Sequence, residues 1–531
     1  MDRKPHLLSS TTIDSHHTVN QIIKILLANR NIKDTDNFLF PPYPELSLDL
    51  SPAVSLINST ISNGGNILIY GDYDVDGITA TAILWQALYK LTPKVFPFIP
   101  HRENDGYGIK AETVFKIQSQ KNIIFDLIIT VDNGIVAHKE ISKIKSSQPN
   151  TKIIVTDHHL KDEATSPADA VVHTTLISGA GVSWFLAKQF DDNADLGLAS
   201  LGAVADCLPL FGINRSIVVH GLQSLRLNPS PGIRKLVDIS GASLQKLSTY
   251  ELGFLLSPRI NAAGRLADPT DALRLLCSHT PEQAIKYANC LNSYNQERQT
   301  VQKETLDKII ASTTPTGQMV FVSGDYNPGI IGLIAGKLTE KYYLPSIVIS
   351  AKDDVAKGSC RSIPELNIID VLRIHADLFI DLGGHSLAAG FSIVSSNIPK
   401  IRTLLKKTIQ KILIDKKLEP HIDVDAIMDL SAVTQKNIES IQKLSPFGIG
   451  NPEPLFLFKN VTVDQIRAIG QSSDHLKLKL SGFDAIAFKK GELANQIRQG
   501  TQLDIIASLS INSWNNLTNP QLIVREIYPT S

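Results

Sequence analysis

The sequence predicts an α/β protein of two α/β lobes joined by a long helix, followed by a small C-terminal β-barrel or sandwich. Three observations carry this. From about 64 to 212, short apolar runs at 67–70, 95–99, 127–131, 153–156 and 170–172 alternate with segments of helical periodicity. That is the rhythm of a mainly parallel sheet with helices on both faces. The rhythm returns in shorter form between 318 and about 410. After about 420 it gives way to short strands at 455–458, 476–480, 485–488 and 503–509, as in a small barrel or sandwich.

The remaining segments follow in order. Residues 1–50 read as short helices ending in a Pro-rich connector (Pro41, Pro42, Pro44). The first lobe is placed at 51–215, a helical region with the connecting helix at 216–312, the second lobe at 313–415 and the barrel at 416–531. Within the connecting helix, Ala284, Ile285, Ala288, Leu291 and Tyr294 form one stripe, the pattern of a strut packed on its neighbours.

A chain of 531 residues, 43% hydrophobic and 20% charged, has an ordinary globular balance and room for several cores. The apolar stretch 329–338 is too short for a membrane span and is interrupted by Gly332, Gly336 and Lys337. The start, Met-Asp-Arg-Lys-Pro, has no apolar signal core, and the four scattered cysteines lack C-x-x-C spacing. A reduced, cytoplasmic protein is expected, not a disulfide scaffold or a thiolate zinc site. Lys plus Arg equals Asp plus Glu at 52 each, so net charge gives no sign of a nucleic-acid partner. Any such case rests on local features.

The most informative local feature is the end of the first apolar run. Tyr70-Gly71 leads into Asp72-Tyr73-Asp74-Val75-Asp76-Gly77, three carboxylates at alternate positions before a helical pattern. Alternate residues of an extended segment share a face, and converging carboxylates repel unless a cation lies between them. Two further apolar runs end in Asp132-Asn133-Gly134 and in Asp157-His158-His159, and the run 199–205 leads into Asp206. With right-handed crossovers, all strands of a parallel sheet end on one edge, so the first three clusters meet there. Asp206 follows a segment that reads as helix, and its place is less defined. Alone, a strand-end Asp is a turn former or helix cap. Four clusters in order point to a metal site. Carboxylates with imidazole and no thiolate suit Mn²⁺ or Mg²⁺ better than structural zinc. This many donors can hold two ions about 4 Å apart, a pair suited to polarising a phosphoryl oxygen and activating water.

These motifs, in this order, resemble the DHH phosphoesterase family. The resemblance implies a first lobe of DHH type, with Asp74, Asp76, Asp132, His158 and Asp206 as metal ligands and Asp132 bridging two ions. It implies catalytic roles for Asp72, Asp157 and His159 in orienting ligands or contacting the scissile phosphate. In the second lobe, Asp381-Leu382-Gly383-Gly384-His385 through Gly390 resembles the signature of the DHH-associated substrate domain. Gly383 and Gly384 are expected before a helix start, where backbone N–H groups approach a phosphate and His385 adds a donor. Upstream, Lys357 to Ser362 presents hydroxyls and a guanidinium able to grip phosphate.

From about 45 to 530 the chain is similar to the branch of this family formed by the single-strand-specific 5′-to-3′ DNA exonucleases of bacteria. The likeness rests on His101-Arg102 with Asp105-Gly106-Tyr107-Gly108, on the segment from Ser257 to Leu266 and on that from Gly324 to Gly332. Residues Lys357 to Ser362 and Phe447 to Pro454 add to it. Asn327 stands where some members carry His. The resemblance implies that Arg102, Ser359 and Arg361 hold a 5′-terminal phosphate and that Arg259, Asn261 and Arg265 line the path to the metals. It also implies that the last domain is an OB fold gripping single-stranded DNA. From His421 onward, 10 basic against 11 acidic residues do not by themselves support DNA binding. A local groove of Lys477, Lys479, Lys489 and Lys490 with Phe488 and Trp514 as stacking platforms is the candidate, beside the plainer reading of Trp514 as core.

The expected function is hydrolysis of single-stranded DNA to 5′-mononucleotides by two-metal catalysis, in recombination and repair. No G-x-x-x-x-G-K-[ST] segment is present, so no nucleotide cofactor is expected. The expected state is a monomer, off the membrane, with single-strand-binding protein and a recombination helicase as partners. Three alternatives stay open: a phosphodiesterase of short oligonucleotides or cyclic dinucleotides, a catalytically inactive replication scaffold, and a hydrolase of another substrate such as pyrophosphate.

Overall fold

The computed structural model describes residues 3–315, 318–514 and 517–530, with the side chains of 513, 514 and 517 outside the description. Trp514, considered above as a stacking platform, is therefore not described beyond its backbone. The chain forms two units, one of residues 42–417 and one in which residues 1–41 join 418–531.

In the larger unit the first sheet has strands β1 (Ile67–Tyr70), β2 (Val95–Phe98), β3 (Leu127–Val131), β4 (Lys152–Asp157) and β5 (Ala170–His173), all parallel in the order 2-1-3-4-5. Side chains of β1 alternate between two cores. Ile67 and Ile69 pack with the helix α1 (Val75–Tyr89), whereas Leu68 and Tyr70 pack with helices 111–121 and 138–147. Successive crossovers thus leave on opposite sides of β1 and β3, which opens a crevice at their carboxyl ends. Helices α1, α2 (Gly179–Ala187) and α3 (Leu196–Ala205) are apolar nearly all round, and almost every residue in them is buried. This is the composition of interior helices rather than of an amphipathic surface layer.

Helix α4 (Ser257–Leu266) leads toward the long helix α5 (Pro281–Ser312), where the sequence predicts a helix from 281 to about 311. Thr280 caps α5 by accepting from the Gln283 amide, and a proline at the first position starts it. The second sheet has β6 (Val320–Gly324), β7 (Ser346–Ser350), β8 (Val355–Arg361), β9 (Phe379–His385) and β10 (Ala388–Val394) in the order 9-10-8-7-6. Only β6 and β7 pair in parallel. Helix α6 (Ile331–Tyr342) links β6 to β7.

In the smaller unit, strands Phe456–Ile469, His475–Leu480, Phe483–Ala487, Leu517–Pro529 and Gln502–Trp514 pair in that cyclic order and close on the first. Closure removes every free edge among the five. The N-terminal segment differs from the expected short helices. Lys4–Leu7 and Thr12–Ile13 are strands, paired in parallel with His421–Val424 and Ala426–Met428. Helices follow only at Val19–Asn29 and Thr35–Leu39.

Arg30 joins the two parts of this unit. Its Nη1 lies 2.7 Å from Asp425 Oδ1, its Nε donates to Asn451 Oδ1 at 3.0 Å and its Nη2 donates to the Pro452 carbonyl at 2.8 Å. Both charged side chains are buried. Removing one partner strands the other charge, so Asp425→Ala is expected to cost about 3–5 kcal/mol in urea unfolding. A loss below about 1 kcal/mol, the value of an exposed pair, would contradict this role.

Candidate active site

Register aligns the donors. Tyr70, Thr130 and Val155 form one row across β1, β3 and β4. Asp72, Asp132 and Asp157 each stand two residues beyond that row, at the crevice. Asp74 is the N-cap of α1, accepting from the Gly77 amide at 3.1 Å. Asp76, in the first turn of α1, accepts from the Gly179 and Ala180 amides at 2.7 and 2.9 Å. A carboxylate is favoured at that helix start by open N–H groups and the helix dipole. No side chain fits where α2 and α3 cross these acids, since a Cβ at Gly179 would strike the Asp132 carboxylate and one at Gly202 that of Asp76. Asp132 has φ +62°, a left-handed conformation costly for a non-glycine residue and typical of functional positions.

His158 Nε2 lies 3.1 Å from Asp132 Oδ1, 3.6 Å from Asp76 Oδ2 and 3.7 Å from Asp206 Oδ2, with Asp206 capping the end of α3. The Asp132 contact lacks hydrogen-bond alignment, and Asp132 Oδ1 and Asp72 Oδ1 are buried without a hydrogen-bond partner. Donor atoms of Asp76, His158 and Asp206 lie within 4.8 Å of one another, as do those of Asp72, Asp74 and Asp132 and those of Asp132, His158 and His159. Orphaned oxygens in an all-oxygen and imidazole set fit one or two hard divalent cations.

Electrostatics agree. Burial, then Asp74, pushes the Asp72 carboxyl well above its usual range. Burial followed by Asp76, Asp74 and Asp72 does the same to Asp132. Asp76 is raised by burial, against the pull of His158, and burial with Asp76 and Asp74 pushes Asp206 up to about 8. Burial lowers His158, which favours the neutral imidazole a metal requires.

Asp157 and His159 form a different subset. Burial alone would raise Asp157, yet the His159 ring and the Ile135 and His159 amides hold it below its usual value. Its Oδ1 lies 2.8 Å from His159 Nδ1. Burial disfavours charge on His159, but Asp157 overcomes this and lifts the ring to about 9. His159 lies within reach of Asp132 and His158 as a ligand, but a ring held protonated suits donation to a phosphate oxygen better than metal ligation.

Facing the acids is a cluster of cations. Arg102 stacks over Tyr73 with its carbon 4.2 Å from the ring centroid, and its Nε is buried without a partner. Arg265, on α4, donates to the Gly329 carbonyl at 2.8 Å. Burial, then Arg102, Arg298 and Arg361, lowers its guanidinium to about 10. Ser359 and Arg361 share one face of β8 at the start of α6. A Cβ on Gly332 there would lie 3.1 Å from the Ser359 hydroxyl and 3.7 Å from the Arg361 guanidinium. The α6 N-terminus has no side-chain cap, which leaves its amides for an anion.

Three expected positions are placed otherwise. Gly383, Gly384 and His385 do not precede a helix. They lie in β9, paired with β10. Gly383 is opposite Gly390, which is opposite Ser359, so the glycines form a bare floor beside Ser359 instead of a loop around phosphate. His385 is exposed at the end of that strand. Arg259 donates to Asn292 Oδ1 at 3.1 Å and to the Leu255 carbonyl at 2.7 Å, which ties α4 to α5. Asn261 is half-buried on α4.

Residues 66–208 match the DHH family N-terminal domain, 315–411 the DHHA1 domain and 424–526 the RecJ OB domain. The chain is 33% identical over 500 residues to the single-stranded-DNA-specific exonuclease RecJ of Bacillus subtilis, a match covering 90% of this chain but 63% of that protein. Identity to the Thermus thermophilus RecJ is 32%, covering 90% and 71%. Identity to the Haemophilus influenzae RecJ is 30%, covering 94% of both chains. The chain belongs to the RecJ family. Among solved structures it resembles Thermus thermophilus RecJ in complex with Mn²⁺, with a TM-score of 0.84, 28% identity and coverage of 99% of this chain and 80% of that one. An exonuclease RecJ bound to manganese matches with a TM-score of 0.61 and 31% identity, covering 71% and 99%. The two α/β lobes and the OB-type barrel are those of the family.

Arg298 was not legible from the sequence. It projects from α5, bonded to Asn295 and Gln302, and nothing in a 32-residue helix marks the side that meets Arg265. The amides of Gly179 and Ala180 were equally hidden, because backbone donors leave no residue-type signature.

The raised carboxyls set a pH test. An acid whose pKa is higher folded than unfolded stabilises the fold at low pH and loses that contribution as pH rises through the folded value. Asp72, Asp76, Asp132 and Asp206 therefore make the metal-free chain less stable between pH 3.8 and about 8. Asp157 acts in the opposite sense, and only below 3.8. Thermal melts in chelator are expected to fall across this window, and the gain on adding Mn²⁺ is expected to grow with pH. A metal effect independent of pH would contradict the shared site.

Proposed function

We propose that this chain is a single-stranded-DNA-specific 5′-to-3′ exonuclease that releases 5′-mononucleotides. The observation that carries this is the pairing, in one compact unit, of an acid-and-imidazole cluster with an arginine-lined anion pocket. Asp74, Asp76, Asp132, His158 and Asp206 would hold two divalent cations, Mn²⁺ or Mg²⁺, with Asp132 shared. When bound, these supply Lewis-acid polarisation of the phosphoryl oxygen and a nucleophilic water at neutral pH. Asp72 directs a free carboxylate oxygen into the same space. Asp157 fixes His159, whose raised pKa lets it donate a hydrogen bond to the scissile phosphate as negative charge builds on it.

Arg102, Ser359, Arg361 and the open amides of α6 are assigned to the terminal 5′-phosphate, with Arg265 and Arg298 supplying neighbouring positive charge. Holding the terminus there sets polarity, because only a chain end then places its first diester over the metals. Arg259 and Asn261 line α4, the approach to the site, where Arg259 acts by holding α4 to the long helix. Gly383 and Gly390 form the floor beside the phosphate pocket, His385 shares the face of Arg361, and Gly384, in register through Ala389 with Cys360, lies on the other face.

In the OB-type unit, Lys477 and Lys479 alternate along one strand with His475, whose ring lies 5.3 Å from exposed Phe488. This is a basic stripe beside an aromatic platform, suited to stacked bases of a single strand. Lys490 is committed to Glu526 at 2.9 Å and contributes less. No helix among the described residues is long and apolar enough to cross a membrane. All four cysteines are unpaired, in keeping with a cytoplasmic monomer, since both lobes of the site come from one chain. Work in recombination and repair implies partners that expose single strands, namely single-strand-binding protein and a recombination helicase. A catalytically inactive scaffold is disfavoured because every donor position is filled.

The test is a Mn²⁺-dependent digest of 5′- and 3′-labelled single- and double-stranded DNA. Release of 5′-mononucleotides from single strands alone supports the proposal, whereas cleavage confined to dinucleotides refutes it. Asp132→Ala is expected to lower the rate by at least about a thousandfold without unfolding the chain, and near-normal turnover would refute the shared-metal role. Arg361→Ala is expected to erase the preference for a 5′-phosphate over a 5′-hydroxyl, and an intact preference would dismiss the assigned pocket.

A further inference from the structure

Tyr107 has no role in the mechanism above, yet the loop that carries it is built with care. His101 N–H donates to Asp105 Oδ2 at 2.9 Å, and the Asp105 amide returns to the His101 carbonyl at 2.8 Å. Beyond Tyr107, the Tyr70 hydroxyl donates to the Gly108 carbonyl at 3.3 Å and the Ile109 amide donates to Asn133 Oδ1 at 3.1 Å. Asn133 itself donates to the Val131 carbonyl at 2.9 Å, at the strand end that presents Asp132. Gly106 and Gly108 have φ +77° and +70°, so the backbone turns left-handed on either side of Tyr107, a path suited to glycine. The loop is closed on itself and pinned to the edge where the acids gather.

Burial does not explain the residue at its tip, for Tyr107 is 48% exposed. Its hydroxyl lies 3.3 Å from His159 Nε2, and the two rings stand nearly edge to face at 6.1 Å and 79°. The other nitrogen of His159 is held by Asp157 at 2.8 Å. An imidazole held at one nitrogen can still swing about its broad terminal torsion, and a second partner across the ring sets the plane. A contact of 3.3 Å is a weak hydrogen bond, so an arriving phosphate oxygen can share the Nε2–H with the Tyr107 hydroxyl, which keeps the ring plane set.

We propose that Tyr107 is a positioning residue for phosphodiester hydrolysis: its hydroxyl and the Asp157 carboxylate hold His159 from both ring nitrogens, so that the imidazole meets the scissile phosphate in one orientation. This rests on the hydrolytic role of His159 proposed above. It gives Tyr107 no part in metal binding and none in grip on the DNA chain.

Tyr107→Phe removes the hydroxyl and keeps the ring. In the full chain with Mn²⁺ and 5′-phosphorylated single-stranded DNA, kcat is expected to fall about tenfold, the scale of one lost hydrogen bond. KM, Mn²⁺ affinity and the unfolding midpoint are expected to stay unchanged. On a His159→Asn background, Tyr107→Phe is expected to add no further slowing. Multiplicative slowing there, or a rise in KM at unchanged kcat, overturns the proposal. A slow His159→Asn beside a fully active Tyr107→Phe overturns the proposal alone. A fully active His159→Asn overturns the role of His159 and the proposal with it.

Discussion

Like charges gathered at the edge of the first sheet are the constraint around which the larger unit is arranged. Asp72, Asp76 and Asp132 are buried, and each is pushed away from ionisation by desolvation and then by neighbouring carboxylates, for Asp76 against the pull of His158. A chain free to relax would separate them. Instead the α2 amides grip Asp76, the left-handed turn at Asp132 directs its carboxylate inward, and two glycines keep side chains out. A cation that binds only the assembled set would offset the cost of folding, so the arrangement would prepare binding energy in advance of the metal.

The opposite charge is stored a short way off. Arg265 feels the repulsion of Arg102, Arg298 and Arg361 and the attraction of Asp74. Two like-charged clusters of opposite sign, placed together in one unit, suit a substrate that is itself a string of anions. In the proposed function one phosphate would satisfy the guanidiniums while the next would be brought to the metals. Under that proposal strand polarity would follow from which cluster takes the terminus, without any base being read. The closed barrel of the other unit carries Lys477 and Lys479 along one strand, with the His475 ring 5.3 Å from that of Phe488.

Much of this was legible in the sequence, for identifiable reasons. Apolar runs ending in Asp betray a parallel-sheet edge, because register and crossover handedness bring strand ends together whatever the loops do. Asp72, Asp132 and Asp157 follow from that rule alone. Asp206 was harder, since a helix end is not bound to the sheet register. The Gly383-Gly384 pair was misread because two glycines announce close backbone approach without saying whether a helix or a strand makes it. Strands 4–7 and 12–13 were missed because their partners lie more than 400 residues away and Lys-Pro-His-Leu has no strand periodicity of its own. Arg259 was identified as important, but its tie to the Asn292 side chain on the long helix is a tertiary fact.

The most direct measurement is anomalous scattering from crystals of the chain grown with Mn²⁺. Two peaks are expected in the crevice, both bordered by Asp132, with Asp74, Asp76, His158 and Asp206 completing the ligands and His159 left to face the substrate space. Peaks elsewhere, or none while Asp72 and Asp132 remain as they are here, would contradict the account at its root.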